Sequence, residues 1–445
     1  MRRKYINTLV AAVILAVLWG SFKLYDRHKG HQPPAAEAKS QEKVFPIASS
    51  HIQSFTLKGR DGKAFTCRRE GSNWVIAQPA RLPADQSSVS GFLSSLADAT
   101  IDEIVDPHPL SLKDFGLNDP AETVQVTTDS NPQQFTLLLG DETPTSGGLY
   151  AQAAGNPRVF TLASYLKSSL EKSQFDFRDK RAVTLDVDQI RRIDVDAKGK
   201  RWTLEKNPEG IWDLVLPPPV RADHFTVDNL ISQVRGLSMK STVAEDKKSA
   251  AKYGFNAPTL TVKFTSPGGT QTVILGKKDG DRYDAMNSAL NPVFTVDSNF
   301  LTQFQKDPAD LRDKDLFSFS TFDAKRVEIE TPGGHWTFEQ QKDKWKETSP
   351  KQKDVTADKI DGLLSDIRGL RAESFPKSHP EDLAAFGLAK PQYRFQVQFG
   401  EKHQTETVEA SKSGDQVYGR RSTDPIPSQL AKTALDAIEK QLGQL

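Results

Sequence analysis

The chain has 445 residues, more than one hydrophobic core usually serves, so we expect two to four domains. Its 59 lysines and arginines balance 58 aspartates and glutamates, which leaves no basic excess for nucleic-acid binding and excludes nucleic acid as an expected partner. The single cysteine, Cys67, excludes an internal disulfide and a cysteine-rich metal site.

Residues 1–25 are predicted to form an N-terminal transmembrane anchor. Residues 6–24 are mostly apolar, and at about 1.5 Å per residue a helix of this length matches the hydrocarbon thickness of a bilayer. Arg2, Arg3 and Lys4 precede this run and favour a cytoplasmic N-terminus. We therefore expect a single-pass protein of the bacterial inner membrane, with the bulk of the chain periplasmic or otherwise extracytoplasmic.

A cleaved signal peptide is the alternative, because Ala36-Glu37-Ala38 resembles a small-x-small cleavage site. Charged residues separate that site from the apolar run, and the run is longer than the usual core of a signal peptide, so the uncleaved anchor is favoured. Residues 26–44 are polar, contain a proline pair and are predicted to be a linker.

Three similar hexapeptides indicate an internal repeat: FGLNDP from Phe115, YGFNAP from Tyr253 and FGLAKP from Phe386. A tryptophan lies 41 residues before each of these aromatic residues, at Trp74, Trp212 and Trp345. The spacing predicts three modules of domain size. We name them module 1 (45–181), module 2 (182–315) and module 3 (316–445).

Two hydrophobic periods alternate inside each module. Alternating apolar and polar residues predict strands of an antiparallel sheet in HIQSFTLK, RWTLEK, KRVEIET and HWTFEQQ, and after the hexapeptides in ETVQVTT, TLTVKFT and YRFQVQF. Apolar residues spaced i, i+3, i+4, i+7 follow an Ala-Asp pair in each copy and predict an amphipathic helix. The predicted fold class is therefore α+β, with three tandem repeats of an antiparallel-sheet-plus-helix module after one N-terminal transmembrane helix.

Several local features receive structural interpretations. The aspartates of the Ala-Asp pairs are interpreted as helix N-caps: Asp85, Asp223 and Asp358. Each hexapeptide is interpreted as a helix-to-strand turn, with its aromatic residue in the core and its glycine at a positive φ. A second helix is predicted to close each module, at 163–172, 297–306 and 427–442. Each copy also has an aromatic residue in a hairpin-like context: Tyr150, Tyr283 and Tyr418.

The motifs that could carry chemistry are weak. Two Ser-x-x-Lys matches, 164–167 and 169–172, lack the Ser-Asp-Asn and Lys-Thr-Gly motifs of the acyl-transfer enzymes that use such a serine. His108 and His379 share a repeat position but have no second ligand at metal-binding spacing, so they are interpreted as solvated loop residues. No phosphate-binding glycine motif is found. We predict no catalytic residues, no metal or cofactor site and no nucleotide binding.

Arg-Asp-Lys tripeptides end modules 1 and 2, at 178–180 and 312–314. They could contact a partner, or an Arg-Asp pair could fix the angle between neighbouring modules. The structural interpretation is favoured because the tripeptides fall at module boundaries.

The segment from Trp74 to Asp85, the LKDFGLNDP turn, the LLLGDETPTSGGLYAQ hairpin and the FRDKR ending resemble the bacterial family DUF4340, a domain of unknown function. Module 3 lacks the Leu-Gly-Asp hairpin and the Arg-Asp-Lys ending. The resemblance implies no catalytic residues. It implies an association with ABC transporters of the gliding-motility type, whose permease and ATPase would be other chains.

We therefore predict a non-enzymatic, membrane-anchored envelope protein, attached to the inner membrane through residues 6–24. Its expected role is that of an accessory or interaction subunit of an ABC-type transport system, with the permease and ATPase subunits as partners. The alternative is a module that binds an envelope glycan such as peptidoglycan, where three copies would supply avidity. An envelope hydrolase is the third hypothesis.

Overall fold

A computed structural model describes residues 42–129, 133–144, 147–215, 219–248, 250–342, 344–376 and 382–445. The predicted anchor, residues 6–24, lies outside these ranges. Within them, no helix is both long enough and apolar enough to cross a membrane.

Three nine-stranded antiparallel sheets follow one another along the chain. The first sheet has the order β4-β3-β2-β1-β6-β7-β8-β9-β5. Its strands are β1 (Ile52–Gly59), β2 (Ala64–Glu70), β3 (Asn73–Gln78), β4 (Leu82–Pro83), β5 (Glu103–Asp106), β6 (Glu122–Thr128), β7 (Gln134–Glu142), β8 (Leu149–Ala153) and β9 (Val159–Leu162).

The second and third sheets repeat this order. The second is built from β10 (Arg192–Ala197), β11 (Lys200–Lys206), β12 (Trp212–Leu214), β13 (Val220–Arg221), β14 (Ser241–Ala244), β15 (Leu260–Ser266), β16 (Gly269–Asp279), β17 (Arg282–Asn287) and β18 (Val293–Asp297). The third is built from β19 (Ala324–Thr331), β20 (Gly334–Gln341), β21 (Lys344–Ser349), β22 (Lys353–Val355), β23 (Ala372–Ser374), β24 (Tyr393–Phe399), β25 (Gln404–Ser413), β26 (Gln416–Arg421) and β27 (Ser428–Leu430).

Helices are fewer than strands among the described residues. In each module the connection from the fourth to the fifth strand carries a helix: α1 (Gln86–Ala97), α4 (His224–Gly236) and α6 (Ala357–Arg368). The last strand of each sheet is followed by α2 (Ser164–Leu170) and α3 (Gln174–Phe177) in module 1, α5 (Asn299–Phe304) in module 2 and α7 (Ala434–Gln444) in module 3.

The predicted fold class is wrong. The described chain is mostly β, with three nine-stranded antiparallel sheets, and it shows no transmembrane helix. The sequence understated the strands because several, such as β4 and β13, have only two residues and therefore carry no period. The repeated antiparallel sheets themselves are confirmed, and the seven quoted strand patterns all fall on strands.

Each sheet packs its inner face against its longest helix. In module 1, Phe92 of α1 lies 4.8 Å from Phe55 of β1 and 5.3 Å from Phe177, measured between ring centroids. All three rings are almost fully buried. The apolar stripe predicted for α1 is therefore the face that covers the core, and burial of such rings is the main stabilising contribution.

Two of the three predicted N-caps are confirmed. The Asp85 carboxylate accepts a hydrogen bond from the Ser88 N–H at 2.7 Å, and Asp223 accepts one from Thr226 at 2.8 Å. The third is wrong: Thr356 is the N-cap of α6, and Asp358 lies in its first turn. There it still complements the helix dipole.

The hexapeptide is confirmed as a turn. In module 1 a short 3₁₀ helix, Lys113–Phe115, ends at Gly116 with a φ of 68°. The prediction that the aromatic residue is buried in the core is confirmed for Tyr253 in module 2. It is wrong for Phe115 and Phe386, which are only half-buried; Phe115 packs edge-on against Tyr150 at 5.1 Å. Leu117, two residues later, is the buried anchor at 3% exposure.

Two further expectations need correction. Only part of 427–442 is helical: Ser428–Leu430 forms β27, and α7 begins at Ala434. Tyr283 does not correspond to Tyr150, because Tyr150 pairs with Thr161 while Asp284 pairs with Thr295. The register is shifted by one residue, which reverses the face on which the side chain lies.

The chain divides into two compact units. One extends to Asp179 and contains the first sheet; the other begins at Lys180 and contains the second and third sheets. The predicted boundaries between three modules stay predictions.

Candidate functional site

In each module the sixth strand in chain order begins at a buried residue: Glu122 in β6, Leu260 in β15 and Tyr393 in β24. Leu260 and Tyr393 are residues that a protein core accepts readily. Glu122 is 7% exposed, and a carboxyl group is rarely buried to this extent without a special reason. Module 1 therefore departs from the repeat at a position where its chemistry changes.

Glu122 lines a cavity of about 760 Å³ in module 1. This volume lies within the range of about 300–1,000 Å³ that is usual for small-molecule sites. Its apolar lining includes Leu57, Ala64 and Phe65 from the sheet and Pro79, which follows β3. The segment 171–176, which runs from the end of α2 into α3, also lines the cavity.

Strand register explains why module 1 has space here. Phe65 lies opposite Leu57 in module 1, and Trp202 lies opposite Val195 at the corresponding position of module 2. Trp202 stacks on Phe304 of α5, with ring centroids 6.2 Å apart. The residue of α2 that corresponds to Phe304 is the smaller Leu170. Phe160 pairs with Ala151 and Phe294 pairs with Ala285, and Leu170 and Phe304 each lie ten positions after the phenylalanine of their own module.

The surroundings of Glu122 disfavour its charged form. The pKa of Glu122 is raised to about 8, mainly by burial and to a smaller extent by the Glu171 and Asp176 carboxylates. A hydrogen bond from the backbone N–H of Lys172 acts in the opposite direction. At neutral pH Glu122 is therefore largely protonated and can either donate a hydrogen bond or release a proton when a cation approaches.

The remaining polar groups of the cavity are held in place. Asp176 accepts hydrogen bonds from the Ser173 N–H at 2.8 Å and the Ser173 hydroxyl at 2.7 Å, which caps α3. At the turn between β1 and β2, Lys63 forms an exposed ion pair with Asp61 at 2.8 Å. These contacts engage the side chains of Asp176, Ser173, Asp61 and Lys63 in the lining of the cavity.

Two stretches of the chain, residues 74–214 and 212–391, match the family described as Domain of unknown function (DUF4340). Together they span well over half of the sequence. The chain belongs to the DUF4340 family. No curated protein matches it.

The DUF4340 matches are offset from the sheets. They begin at Trp74 in β3 and Trp212 in β12, so each starts in the third strand of one sheet. The first match ends at Leu214, the last residue of β12. A DUF4340 unit therefore includes the connection from one sheet to the next, where the Arg-Asp-Lys tripeptides lie.

The tripeptide between modules 2 and 3 lies in a buried charged cluster. Arg421 of β26 donates a hydrogen bond to the Asp313 carboxylate at 2.6 Å, to the Leu316 carbonyl at 3.1 Å and to Asp424 at 3.2 Å. It also bonds the Asp315 carbonyl. The Arg421 and Asp313 side chains are 7% and 13% exposed, so the pair is buried.

The same tripeptide is bonded to both modules through its backbone. The Asp313 N–H donates to the Arg221 carbonyl in module 2 at 3.0 Å, and the Lys314 carbonyl accepts from Ala372 in module 3 at 2.7 Å. Arg312 places its guanidinium 3.6 Å from the ring centroid of Phe375, and burial lowers its pKa to about 10. The arrangement holds modules 2 and 3 together.

The residues of the weak sequence motifs do not come together. Lys167 is bonded to Glu142, and the Ser169 hydroxyl donates to the Tyr165 carbonyl at 3.4 Å. His108 is exposed, and His379 lies outside the described residues. Across the part of the chain that the structure describes, no group of three or more His, Cys, Asp or Glu side chains is arranged to hold a metal ion.

Sequence reasoning missed Glu122, although a signal was present. In ETVQVTT the inward-facing residues are Val124 and Val126, and Glu122 lies in phase with them. A glutamate on the apolar face of a predicted strand, where the other copies have Leu260 and Tyr393, indicates a buried carboxyl group. The Arg421 and Asp313 pair had no such signal, because the residues are 108 positions apart.

Proposed function

We propose that this DUF4340 protein is a non-enzymatic binding protein of the bacterial envelope and acts as an accessory or interaction subunit of an ABC-type transport system. The observation that carries the binding role is the module 1 cavity with its buried Glu122. Modules 2 and 3 have larger or apolar side chains at the corresponding positions, Trp202 and Leu260 or Trp336 and Tyr393.

The rest of the proposal is supported by the sequence. The basic residues before the apolar segment 6–24 favour an inner-membrane protein whose bulk is periplasmic. The resemblance to DUF4340 proteins supports the transport association by analogy alone. In this proposal the permease and ATPase subunits are separate chains.

The partner assignment is tested by extracting the tagged full-length protein from native membranes with a mild detergent and identifying bound proteins by mass spectrometry. We expect an ABC permease and its ATPase to be recovered, and an unrelated tagged membrane protein to recover neither. Recovery of the bait alone contradicts the transport role. Sedimentation of the protein with purified cell wall would then favour the glycan alternative.

The binding role is tested separately by comparing Phe65→Trp with Phe65→Leu in the full chain. The tryptophan copies Trp202 of module 2 and is expected to fill the cavity, whereas leucine leaves it open. Small molecules that co-purify with the wild type and with Phe65→Leu should be lost from Phe65→Trp. Equal recovery from both variants would exclude the cavity as the binding site.

A further inference from the structure

We propose that the module 1 cavity binds an organic cation, a primary ammonium group carried on an apolar body, with the Glu122 carboxylate as its counter-ion. This inference rests on the proposed binding role of the cavity and names the class of ligand. It is argued from the charge balance, the shape and the departure from the repeat.

The charged groups of the cavity leave an excess of negative charge. The lining of the cavity includes the carboxyl groups of Glu122 and Glu171 against the ammonium group of Lys172. Asp61 and Lys63 neutralise each other in their own ion pair. Such a site attracts a cation and repels a carboxylate or phosphate ligand.

The strand order does not require a carboxyl group at this position. Leu260 begins the corresponding strand of module 2 and is fully buried in a sheet of the same strand order. In module 1 the Glu122 carboxyl accepts a hydrogen bond from the Lys172 N–H, and it has further acceptor capacity beyond that one bond. A buried carboxyl group that lines a cavity and has acceptor capacity left indicates a ligand that uses it.

The shape of the cavity selects the rest of the ligand. Leu57, Ala64, Phe65 and Pro79 form its apolar lining and can cover an alkyl or aromatic body. The hydrogen bond from the backbone N–H of Lys172 is a neutral contact and brings no positive charge to the Glu122 carboxyl. An ammonium group supplies both the charge and the donors that an ionised Glu122 needs.

Binding of a cation has a proton signature. Below the Glu122 pKa of about 8 the free protein carries the proton, so forming the ion pair releases about one proton per ligand to the solvent. An alkylammonium group keeps its own proton over this range, since its pKa is close to that of lysine, about 10.4. Affinity should rise from pH 6.5 to pH 8.5 and level off above.

The probes are hexylammonium, hexanol and hexanoate, which share an alkyl chain and differ in the polar group. Each is titrated calorimetrically into the full-length protein at pH 6.5, 7.5 and 8.5, and at pH 7.5 in phosphate and in Tris buffer. We expect hexylammonium to bind at least tenfold more tightly than hexanol at pH 8.5, and hexanoate not to bind. The heat of hexylammonium binding should differ between phosphate and Tris, because the buffer takes up the released proton and the two buffers have different heats of protonation.

Variants separate the carboxyl group from the cavity. Glu122→Gln keeps the size of the side chain and should lose the tenfold preference and the buffer dependence while hexanol binding persists. Glu122→Leu, which copies module 2, should do the same. Phe65→Trp should block all three probes. Circular dichroism checks that each variant is folded.

Each outcome bears on one claim. Hexanol or hexanoate binding as tightly as hexylammonium, with block by Phe65→Trp, overturns the ligand class while the binding role of the cavity stands. A hexylammonium preference that survives Glu122→Gln also overturns the inference. If no probe binds and no small molecule co-purifies with the protein, both the inference and the binding role fail.

Discussion

Modules 1 and 2 have the same strand order and the same helix on the inner face, yet their interiors differ. Module 2 stacks Trp202 on Phe304, buries Leu260 and keeps a cavity of about 590 Å³, whereas module 1 has a cavity of about 760 Å³ and the carboxyl group of Glu122. Sheets of the same strand order accommodate both sets of interior side chains, so the strand order does not determine which side chains fill the interior. The repeat preserves the scaffold, and the binding chemistry that we propose lies where one copy departs from it.

The largest effect is expected at the junction of modules 2 and 3. Arg421→Ala leaves the buried Asp313 carboxylate without its partner and should lower the free energy of unfolding by about 3–5 kcal/mol. Urea denaturation of the full chain measures the change. Arg201→Ala, which removes an exposed pair with Asp196, is the control and should cost less than about 0.5 kcal/mol. Equal losses in the two variants would contradict a stabilising role of the junction.

A slightly smaller effect is expected at Gly276, where β16 lies close to the backbone of the YGFNAP hexapeptide. A Cβ at Gly276 would lie 1.9 Å from the Tyr253 carbonyl oxygen, so Gly276→Ala should cost about 3 kcal/mol, measured as a shift of the urea midpoint. Module 3 has Ser411 at this position, and its hydroxyl donates to the Gly387 carbonyl at 2.9 Å. Module 2 therefore accommodates the close contact with a glycine, whereas module 3 has a serine whose hydroxyl bonds the facing carbonyl.

The control for this strain is Gly91→Ala. Gly91 lies within α1, and a Cβ there would meet no atom within 4 Å. The substitution should stabilise the protein by about 0.5–1 kcal/mol through helix propensity. If Gly276→Ala is equally benign, the close backbone approach is not a constraint on the fold.

A pH-dependent effect of about 3–4 kcal/mol between pH 5 and pH 8 is expected at Glu122. The pKa of Glu122 is raised to about 8 in the folded state, so the unfolded chain releases this proton first as the pH rises. Between about pH 4.5 and pH 8 the wild type should therefore lose stability relative to Glu122→Leu. Urea unfolding at pH 5, 6.5 and 8 measures it, and parallel curves for the two proteins would contradict a raised pKa.

The smallest effect separates a true cap from a residue of the first turn. Asp85→Ala removes the hydrogen bond to the Ser88 N–H and should cost about 1 kcal/mol. Asp358→Ala removes only a favourable charge near the start of α6 and should cost about 0.3 kcal/mol. Thermal unfolding compares the variants, and equal shifts would remove the distinction between the copies.

The sequence predicted those parts of the fold that depend on local periodicity. The stripe of α1 that contains Val89 and Phe92 has a clear helical period, and β6 alternates cleanly. Strands such as β4 are too short to show a period and are fixed by pairing with their neighbours. The predicted class was wrong because such strands enlarge each sheet without leaving a local signal.

The candidate site was harder to predict because it depends on relations between distant residues. The cavity is lined by Phe65 where module 2 has the larger Trp202, and that comparison needs the strand register, which the sequence does not give. Tyr283 is an example of the error that results: alignment by residue type matched it with Tyr150, but the strand register matches Tyr150 with Asp284. Glu122 was within reach of sequence reasoning, through its phase on β6.

The most direct test of this account is the titration of the Glu122 carboxyl group in the full-length protein. It is followed by carbon-13 NMR with glutamate labelled at the carboxyl carbon, and Glu122→Gln assigns the resonance. We expect a midpoint near pH 8 in the free protein, as burial dictates, and a lower midpoint with hexylammonium present. A midpoint near 4.5, unchanged by hexylammonium, would contradict the buried carboxyl group and its role as the counter-ion of a bound cation.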